Sequence, residues 1–197
     1  MKRTRWKTFP QLSIVWFSFS LGLLSPACRH PGPEPIVEVT DLVLISIDTL
    51  RRDHLSAYGY ARDTSPHLRR LAAEGVVFET ALAAHTNTGP SHASMLTGLY
   101  PQSHGVTRNR EPIRPELETL AHRLRRRGYR TAAFVSGWTL SDEATGLGSG
   151  FEVYDDDVGR RERRAPETWR AARRWLGERY EEEPWFLFFH LFDPHYP

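Results

Sequence analysis

Short, nearly uninterrupted apolar runs alternate with amphipathic segments from residue 41 onward. Leu42–Ile47, Thr131–Ser136 and Trp185–Phe192 have the length and apolar character of strands buried on both faces of a parallel sheet. The segments between them carry apolar residues at helical spacing, and Ser65-Pro66 supplies an N-cap residue and a first-turn proline. Helices are predicted over 65–74, 115–127 and 167–180. This alternation predicts an α/β domain with a mainly parallel central sheet.

The composition is that of one globular domain of ordinary size. The chain has 197 residues, of which 40% are hydrophobic, so it can bury a substantial core. Its formal net charge is only +2, which argues against a nucleic-acid-binding protein. We interpret the acidic run 155–157 and the basic run 160–164 as solvated loop. Cys28 is the single cysteine, so the chain can form neither an internal disulfide nor a thiolate zinc site.

Residues 1–28 have the pattern of an export signal. A basic start precedes the uncharged stretch Leu12–Leu24, and small residues follow up to Cys28. The stretch is shorter than the ~20 residues that a membrane-spanning helix needs. Its end, Leu-Ser-Pro-Ala-Cys, resembles a bacterial lipobox, which implies a lipid anchor to the membrane at Cys28; ordinary cleavage after Ala27 is the alternative. Both predict an extracytoplasmic protein, in the cell envelope, the periplasm or secreted, with residues 29–40 as a Pro-rich linker.

Polar side chains follow two of the predicted strands. Asp48 and Thr49 come directly after the first strand, and His190 and His195 lie within and after the third. In sheets of this class, ligands bind beyond the carboxyl ends of the strands. The sequence therefore predicts a binding site at this edge of the sheet.

The segment that begins at Thr88 adds a hydroxyl group at the start of a helix. Free backbone N–H groups and the positive end of the helix dipole favour an anionic nucleophile and an anionic substrate there. The alternative is that Thr88 is simply an N-cap residue, a common role for Thr.

Five sequence blocks, in order, carry a more specific pattern. Thr88–Gly98 (TGPSHASMLTG) resembles the sulfatase signature, in which Cys or Ser followed by x-Pro-Ser-Arg-Ala-Ser opens a helix that ends in Leu-Thr-Gly. The other blocks are Leu44–Gly59, Thr64–Ala72, Tyr100–Gly105 and Asp193–Pro197. By these blocks, residues 41–197 are identified as the amino-terminal part of a sulfatase-like domain of the alkaline-phosphatase superfamily.

The resemblance implies a fold, a cofactor and a set of roles. The fold is an alkaline-phosphatase/sulfatase-like sandwich with a mainly parallel central sheet, incomplete in this chain. Thr88 stands at the position of the nucleophile, and Asp48 and Thr88 would bind a divalent metal ion, with Ca, Mg, Mn and Zn all open. His195, and His92 in place of the usual Arg, would contact the anionic group of the substrate.

The sequence also departs from the family pattern. Thr88 cannot be converted to the formylglycine of sulfatases. Thr49 replaces the second of two adjacent Asp, and Gly137 and Thr139 replace a Lys and a His. Thr49 and His190 are expected to support the metal ligands from beside them. Because His190 lies inside an apolar strand, the alternatives for it are a core or supporting role and a direct role in the site.

An unmodified Thr nucleophile resembles the phosphodiesterases, nucleotide pyrophosphatases and phosphoethanolamine transferases of the same superfamily. The implied substrate is a small-molecule or glycan sulfate or phosphate ester, with phosphorus preferred. The chain stops at Pro197, whereas the family supplies further metal ligands later, so this chain alone is expected to be poorly active. The alternatives are a non-catalytic lipid-anchored protein that binds an anionic glycan or phosphate, and an inactive gene fragment.

Overall fold

The computed structural model describes residues 41–159, 162–178 and 183–195. The predicted signal peptide, the linker 29–40 and the lipidation site Cys28 lie outside the described residues, as does the end of the helix predicted to reach residue 180. Within the described part of the chain, no helix is both long enough and apolar enough to cross a membrane.

Four parallel strands form the central sheet in the order β1-β4-β2-β3. They are β1 (Asp41–Ile47), β2 (Arg130–Phe134), β3 (Val153–Asp155) and β4 (Trp185–Leu191). The predicted α/β class and parallel sheet are confirmed. The strand β3 was missed, because it has only three residues and runs into the acidic segment that we interpreted as solvated loop.

Six α-helices connect and flank the strands. They are α1 (Pro66–Glu74), α2 (Thr88–Thr97), α3 (Pro101–His104), α4 (Leu120–Arg125), α5 (Asp142–Thr145) and α6 (Ala165–Glu178). Of these, α4 is shorter than predicted because Thr119 and His122 form a capping box that fixes its start. Three 3₁₀ turns, at Arg52–His54, Ser56–Tyr58 and Trp138–Leu140, complete the described elements.

The sheet has a core layer on each face. Strand β4 alternates between them: Phe186 and Phe188 point into the larger layer, which α2 and α4 cover, and Leu187 and Phe189 point into the smaller layer, which α6 covers. Because β4 lies inside the sheet with a core layer on each face, its side chains are buried on both faces, as the apolar run predicted.

Strand β1 differs from the prediction on one face. Val43 and Ile45 are 46% and 55% exposed, whereas we predicted a strand buried on both faces. The reason is positional: β1 is the edge of the described sheet, and α6 packs over β2 and β4 instead. A groove of about 700 Å³ lies between this face of β1 and α1.

Candidate active site

The carboxyl ends of β1 and β4 meet the amino end of α2. Asp48 follows β1 directly, and its backbone N–H donates to Leu191 O of β4 at 2.9 Å. The Thr88 hydroxyl, at the first residue of α2, donates to Asp48 Oδ2 at 3.0 Å. Two residues 40 positions apart in sequence are thus joined where the sequence predicted a site.

The hydroxyl of Thr88 does not cap its own helix. Asn87 is the N-cap residue of α2, so Thr88 is the first helical residue and its side chain is left to contact Asp48. The helix ends as predicted at Gly98, whose φ of 72° is the left-handed conformation that glycine adopts most readily. The N-cap interpretation of Thr88 is therefore wrong.

Asp48 is an ionised, mostly buried carboxylate. Only 10% of its side chain is exposed. Burial raises the pKa of Asp48, but interactions with His190 and Thr88 together outweigh it and hold that pKa below its usual value. The carboxylate is therefore charged at neutral pH and offers its remaining lone pairs to a cation.

The buried ring of His190 directs one nitrogen at this carboxylate. Its Nδ1 accepts a hydrogen bond from Ser136 N at 3.4 Å, so in the neutral ring the proton lies on Nε2. Nε2 is 3.6 Å from Asp48 Oδ2, longer than a hydrogen bond, and has no other partner among the described residues. A small movement would let His190 donate to Asp48.

His92 lies one helical turn after Thr88 with both ring nitrogens engaged. Nδ1 is 2.8 Å from the Thr88 carbonyl oxygen, which can only accept, so the proton lies on Nδ1. Nε2 then accepts from the Ser46 hydroxyl at 2.8 Å. Burial, with a contribution from nearby His190, lowers the pKa of His92 to about 4, so the ring is neutral at neutral pH. The structure thus places His92 behind Thr88, where hydrogen bonds connect its ring to the Thr88 backbone and to β1.

The other two sequence-predicted site residues are exposed. His195 stacks on Phe192 with ring centroids 4.3 Å apart, and Phe192 in turn contacts His190 at 6.2 Å. Thr49 has a φ of 54°, a left-handed conformation that is unusual for a β-branched residue. The chain therefore turns sharply away from the sheet immediately after Asp48.

Two residues near Thr88 were not found from the sequence. Asn109 Oδ1 accepts from Gly89 N at 2.8 Å, at the amino end of α2. A Cβ at Gly89 would lie 3.2 Å from that oxygen, so glycine permits the close approach. Ser46 was hidden within an apolar run, although its position two residues before Asp48 places it on the same face of β1.

With this geometry established, comparison with known proteins assigns the family. The sequence model of the family described as Sulfatase matches residues 40–197. The chain belongs to the sulfatase family. It is 30% identical over 128 residues to an N-acetylglucosamine-6-O-sulfatase of Bacteroides thetaiotaomicron, a match that covers 64% of this chain and 23% of the relative.

Two other similar proteins have names that indicate phosphorus-containing substrates. The bis(5'-adenosyl)-triphosphatase ENPP4 of Bos taurus is 41% identical over 89 residues, 45% of this chain and 18% of the relative. The crystal structure of a phosphonate monoester hydrolase of Agrobacterium radiobacter superposes with a TM-score of 0.64 at 27% identity, covering 80% of this chain and 42% of that one. This sulfatase-family chain thus spans less than a quarter of the length of these curated relatives.

Two of the described residues carry oxygen donors of the kind that bind a divalent metal ion. Asp48 and Thr88 are oxygen donors within hydrogen-bond distance of each other, a pair that suits Mg²⁺, Ca²⁺ or Mn²⁺. Among the described residues, no group of three or more His, Cys, Asp or Glu side chains is placed to hold a metal ion. The donors present therefore fit a divalent cation but do not enclose one.

Proposed function

We propose that the protein is a metal-dependent hydrolase of sulfate or phosphate esters in which Thr88, rather than formylglycine, is the nucleophile. The observation that carries the proposal is the 3.0 Å hydrogen bond from Thr88 Oγ1 to Asp48 Oδ2, at the amino end of a ten-residue helix. The bond orients the hydroxyl away from the helix, and the helix end favours the anionic group that it attacks.

The chemistry proceeds in two displacements. Thr88 Oγ1 forms a bond to the phosphorus or sulfur atom, the ester C–O oxygen leaves and takes a proton, and the Thr88 hydroxyl proton departs by way of Asp48 Oδ2. Water then attacks the Thr88-bound group and restores the hydroxyl; a sulfate ester or phosphate monoester releases inorganic sulfate or phosphate, and a phosphodiester releases the remaining phosphate monoester. Asp48 and Thr88 would hold the divalent ion, which when bound lowers the pKa of the hydroxyl and neutralises charge on the ester.

Phosphorus is the preferred centre. A Thr side chain lacks the chemistry that yields the formylglycine aldehyde, and an unmodified alcohol suits a covalent phospho-enzyme. The similarity to ENPP4 and to a phosphonate monoester hydrolase supports the same preference, whereas the similarity to an N-acetylglucosamine-6-O-sulfatase supports a sulfated glycan.

The test is a comparison of two esters with the metal-loaded full-length protein. We expect turnover of bis(4-nitrophenyl) phosphate to exceed that of 4-nitrophenyl sulfate. Thr88→Ala should abolish turnover of both, and Thr88→Ser should retain it. Thr97→Ala is the matched control, because Thr97 lies on the same helix but its hydroxyl donates to Ala93 O. Turnover of the sulfate alone would overturn the phosphorus preference, and an active Thr88→Ala variant would overturn the nucleophile.

We also propose that the protein works outside the cytoplasm, anchored by a lipid on Cys28. The support is the sequence pattern of residues 1–28. Growth with labelled palmitate should label the wild-type protein and leave Cys28→Ser unlabelled. Release of unlabelled wild-type protein into the periplasm would instead indicate ordinary cleavage after Ala27.

A second candidate function is binding without catalysis. It is favoured by the neutral state of His92 and by the incomplete set of metal donors among the described residues. Under this alternative, Thr88→Ala keeps its affinity for an anionic ligand and the wild-type protein shows no metal-dependent turnover.

A further inference from the structure

Two positions beside the candidate site lack the cations of the family pattern. The sequence has Gly137 and Thr139 where the resemblance would place a Lys and a His. Asp48, Thr88 and the divalent ion proposed for them serve the reacting group. A cation on another segment can therefore bind a further anionic group of the substrate.

Arg110 is a cation held beside this site. Its neighbour Asn109 contacts Gly89 N at the amino end of α2, so the loop that carries Arg110 meets the nucleophile helix at its first turn. Arg110 has a φ of 68°, a left-handed conformation that costs a non-glycine residue of the order of 1 kcal/mol or more. A strained backbone at this point fixes the direction in which the side chain leaves the loop.

The loop is held in this conformation by Glu111. Its carboxylate accepts hydrogen bonds from the backbone N–H groups of Thr107 and Arg108, from the Thr107 hydroxyl and from the Arg108 guanidinium. Arg108 also forms an ion pair with Glu111. Arg110, in contrast, forms no ion pair with any carboxylate among the described residues, and its guanidinium lies over the Trp138 ring at 5.6 Å.

Trp138 gives the cation an aromatic platform. It lies on the turn Trp138–Leu140, which packs against α2, and it is 36% exposed. A guanidinium stacked on an indole keeps its N–H donors in one plane and free for a carboxylate, sulfate or phosphate. The part of Trp138 that remains exposed can contact a substrate ring.

We propose that Arg110 and Trp138 form a specificity subsite that binds a second anionic group, on the leaving-group side of the ester. This rests on the proposed function and adds the substrate class: esters of a ring that bears another negative charge. The leaving-group side is assigned because Arg110 and Trp138 are exposed, whereas Asp48, at the reacting centre, is mostly buried.

Two ligands that differ by one charge test the subsite. Phenyl sulfate and 4-carboxyphenyl sulfate are titrated calorimetrically into the full-length Thr88→Ala protein, which cannot turn them over. The divalent ion is kept in excess because the variant lacks one of the two proposed metal donors. Adding Arg110→Met should weaken 4-carboxyphenyl sulfate about tenfold, the size of one charge-assisted hydrogen bond, and leave phenyl sulfate within about twofold. Arg127→Met, at an exposed arginine without a described ion pair, should change neither affinity.

Each result decides the proposal. Equal weakening of both ligands would assign Arg110 to the reacting sulfate and overturn the subsite, as would no weakening of either. Trp138→Leu, which removes the platform but keeps an apolar side chain, should reproduce the selective loss in part. The titrations measure binding and do not need turnover. If the wild-type protein has no activity, the proposed function is refuted, but the binding test of the Arg110 subsite still gives its own answer.

Discussion

A 2.8 Å hydrogen bond between the hydroxyl of Ser46 and the ring of His92 joins strand β1 to α2. Through its other ring nitrogen, Nδ1, His92 donates a hydrogen bond to the Thr88 carbonyl oxygen. The position of the Thr88 backbone relative to Asp48, two residues beyond Ser46, is therefore set by a neutral histidine bridge.

Removal of the hydroxyl should loosen this bridge. Ser46→Ala leaves His92 Nε2 buried without a donor, which costs about 1–3 kcal/mol of unfolding free energy. Chemical denaturation should show the loss, and hydrogen exchange should speed at the first turn of α2. Ser103→Ala, at an exposed position on α3, should change neither measurement. Unchanged exchange in Ser46→Ala would show that the bridge does not hold the helix.

The buried state of His92 predicts how stability depends on pH. In the unfolded chain the ring takes up a proton near pH 6.5, whereas burial lowers the pKa of the folded His92 to about 4. The unfolded state therefore binds more protons between these values. Stability from this group is complete above pH 6.5 and falls by about 3 kcal/mol as the pH drops to 4. Urea unfolding across this range measures the loss.

A variant that cannot titrate is the control for this pH dependence. His92→Gln is expected to be less stable at neutral pH but to lose less stability between pH 6.5 and 4, because glutamine takes up no proton. Equal slopes for the wild-type protein and His92→Gln would contradict a neutral buried ring.

Gly137 packs against Phe192, so there is no free space at this position for the lysine of the family pattern. A Cβ there would lie 2.9 Å from Phe192 Cδ2, so Gly137→Ala should cost about 1–3 kcal/mol through overpacking. Gly137→Lys should be destabilised in the same way and should not improve sulfate binding. Thermal unfolding measures the effect, and Phe192→Leu should partly rescue Gly137→Ala.

Gly177 provides the comparison for this substitution. It lies within α6, and a Cβ added there would meet nothing within 4 Å among the described residues, so Gly177→Ala should raise stability by up to about 1 kcal/mol. Equal effects of the two substitutions would show that Phe192 does not restrict residue 137.

The loop of Arg110 should depend on Glu111. Glu111→Ala removes the acceptor for four hydrogen bonds, so the backbone amides of Asn109 and Arg110 should exchange faster. The variant should also lose part of the selectivity for 4-carboxyphenyl sulfate. Retained selectivity with fast exchange would indicate that the aromatic contact with Trp138 alone positions Arg110.

The sequence predicted those parts of the fold that depend on local pattern. The buried strands β2 and β4 were predicted because their apolar runs are continuous. Helices α1 and α2 were predicted because proline and glycine mark their ends. Strand β3 was missed because three residues beside an acidic run carry too little pattern. The exposed face of β1 was not predicted, because the exposure depends on what α6 covers and not on the sequence of β1.

The sequence pattern placed Asp48 at a strand end and Thr88 at a helix start, the family resemblance paired them, and the structure joins them by a hydrogen bond. That they form a catalytic site stays a prediction. Ser46 and Asn109 were missed because their contacts join segments far apart in sequence. His92 was expected to face the substrate. Its place behind Thr88 depends on the contact with Ser46, which no local pattern reveals. Its role in substrate contact stays a prediction.

The covalent intermediate tests the central claim most directly. The metal-loaded full-length protein is mixed with bis(4-nitrophenyl) phosphate, quenched in acid during turnover, digested and analysed by peptide mass spectrometry. We predict a phosphoryl-bearing adduct on Thr88, absent from Thr88→Ala and present in Thr97→Ala. Turnover with no adduct on Thr88, or with an adduct on another residue, would contradict a threonine nucleophile.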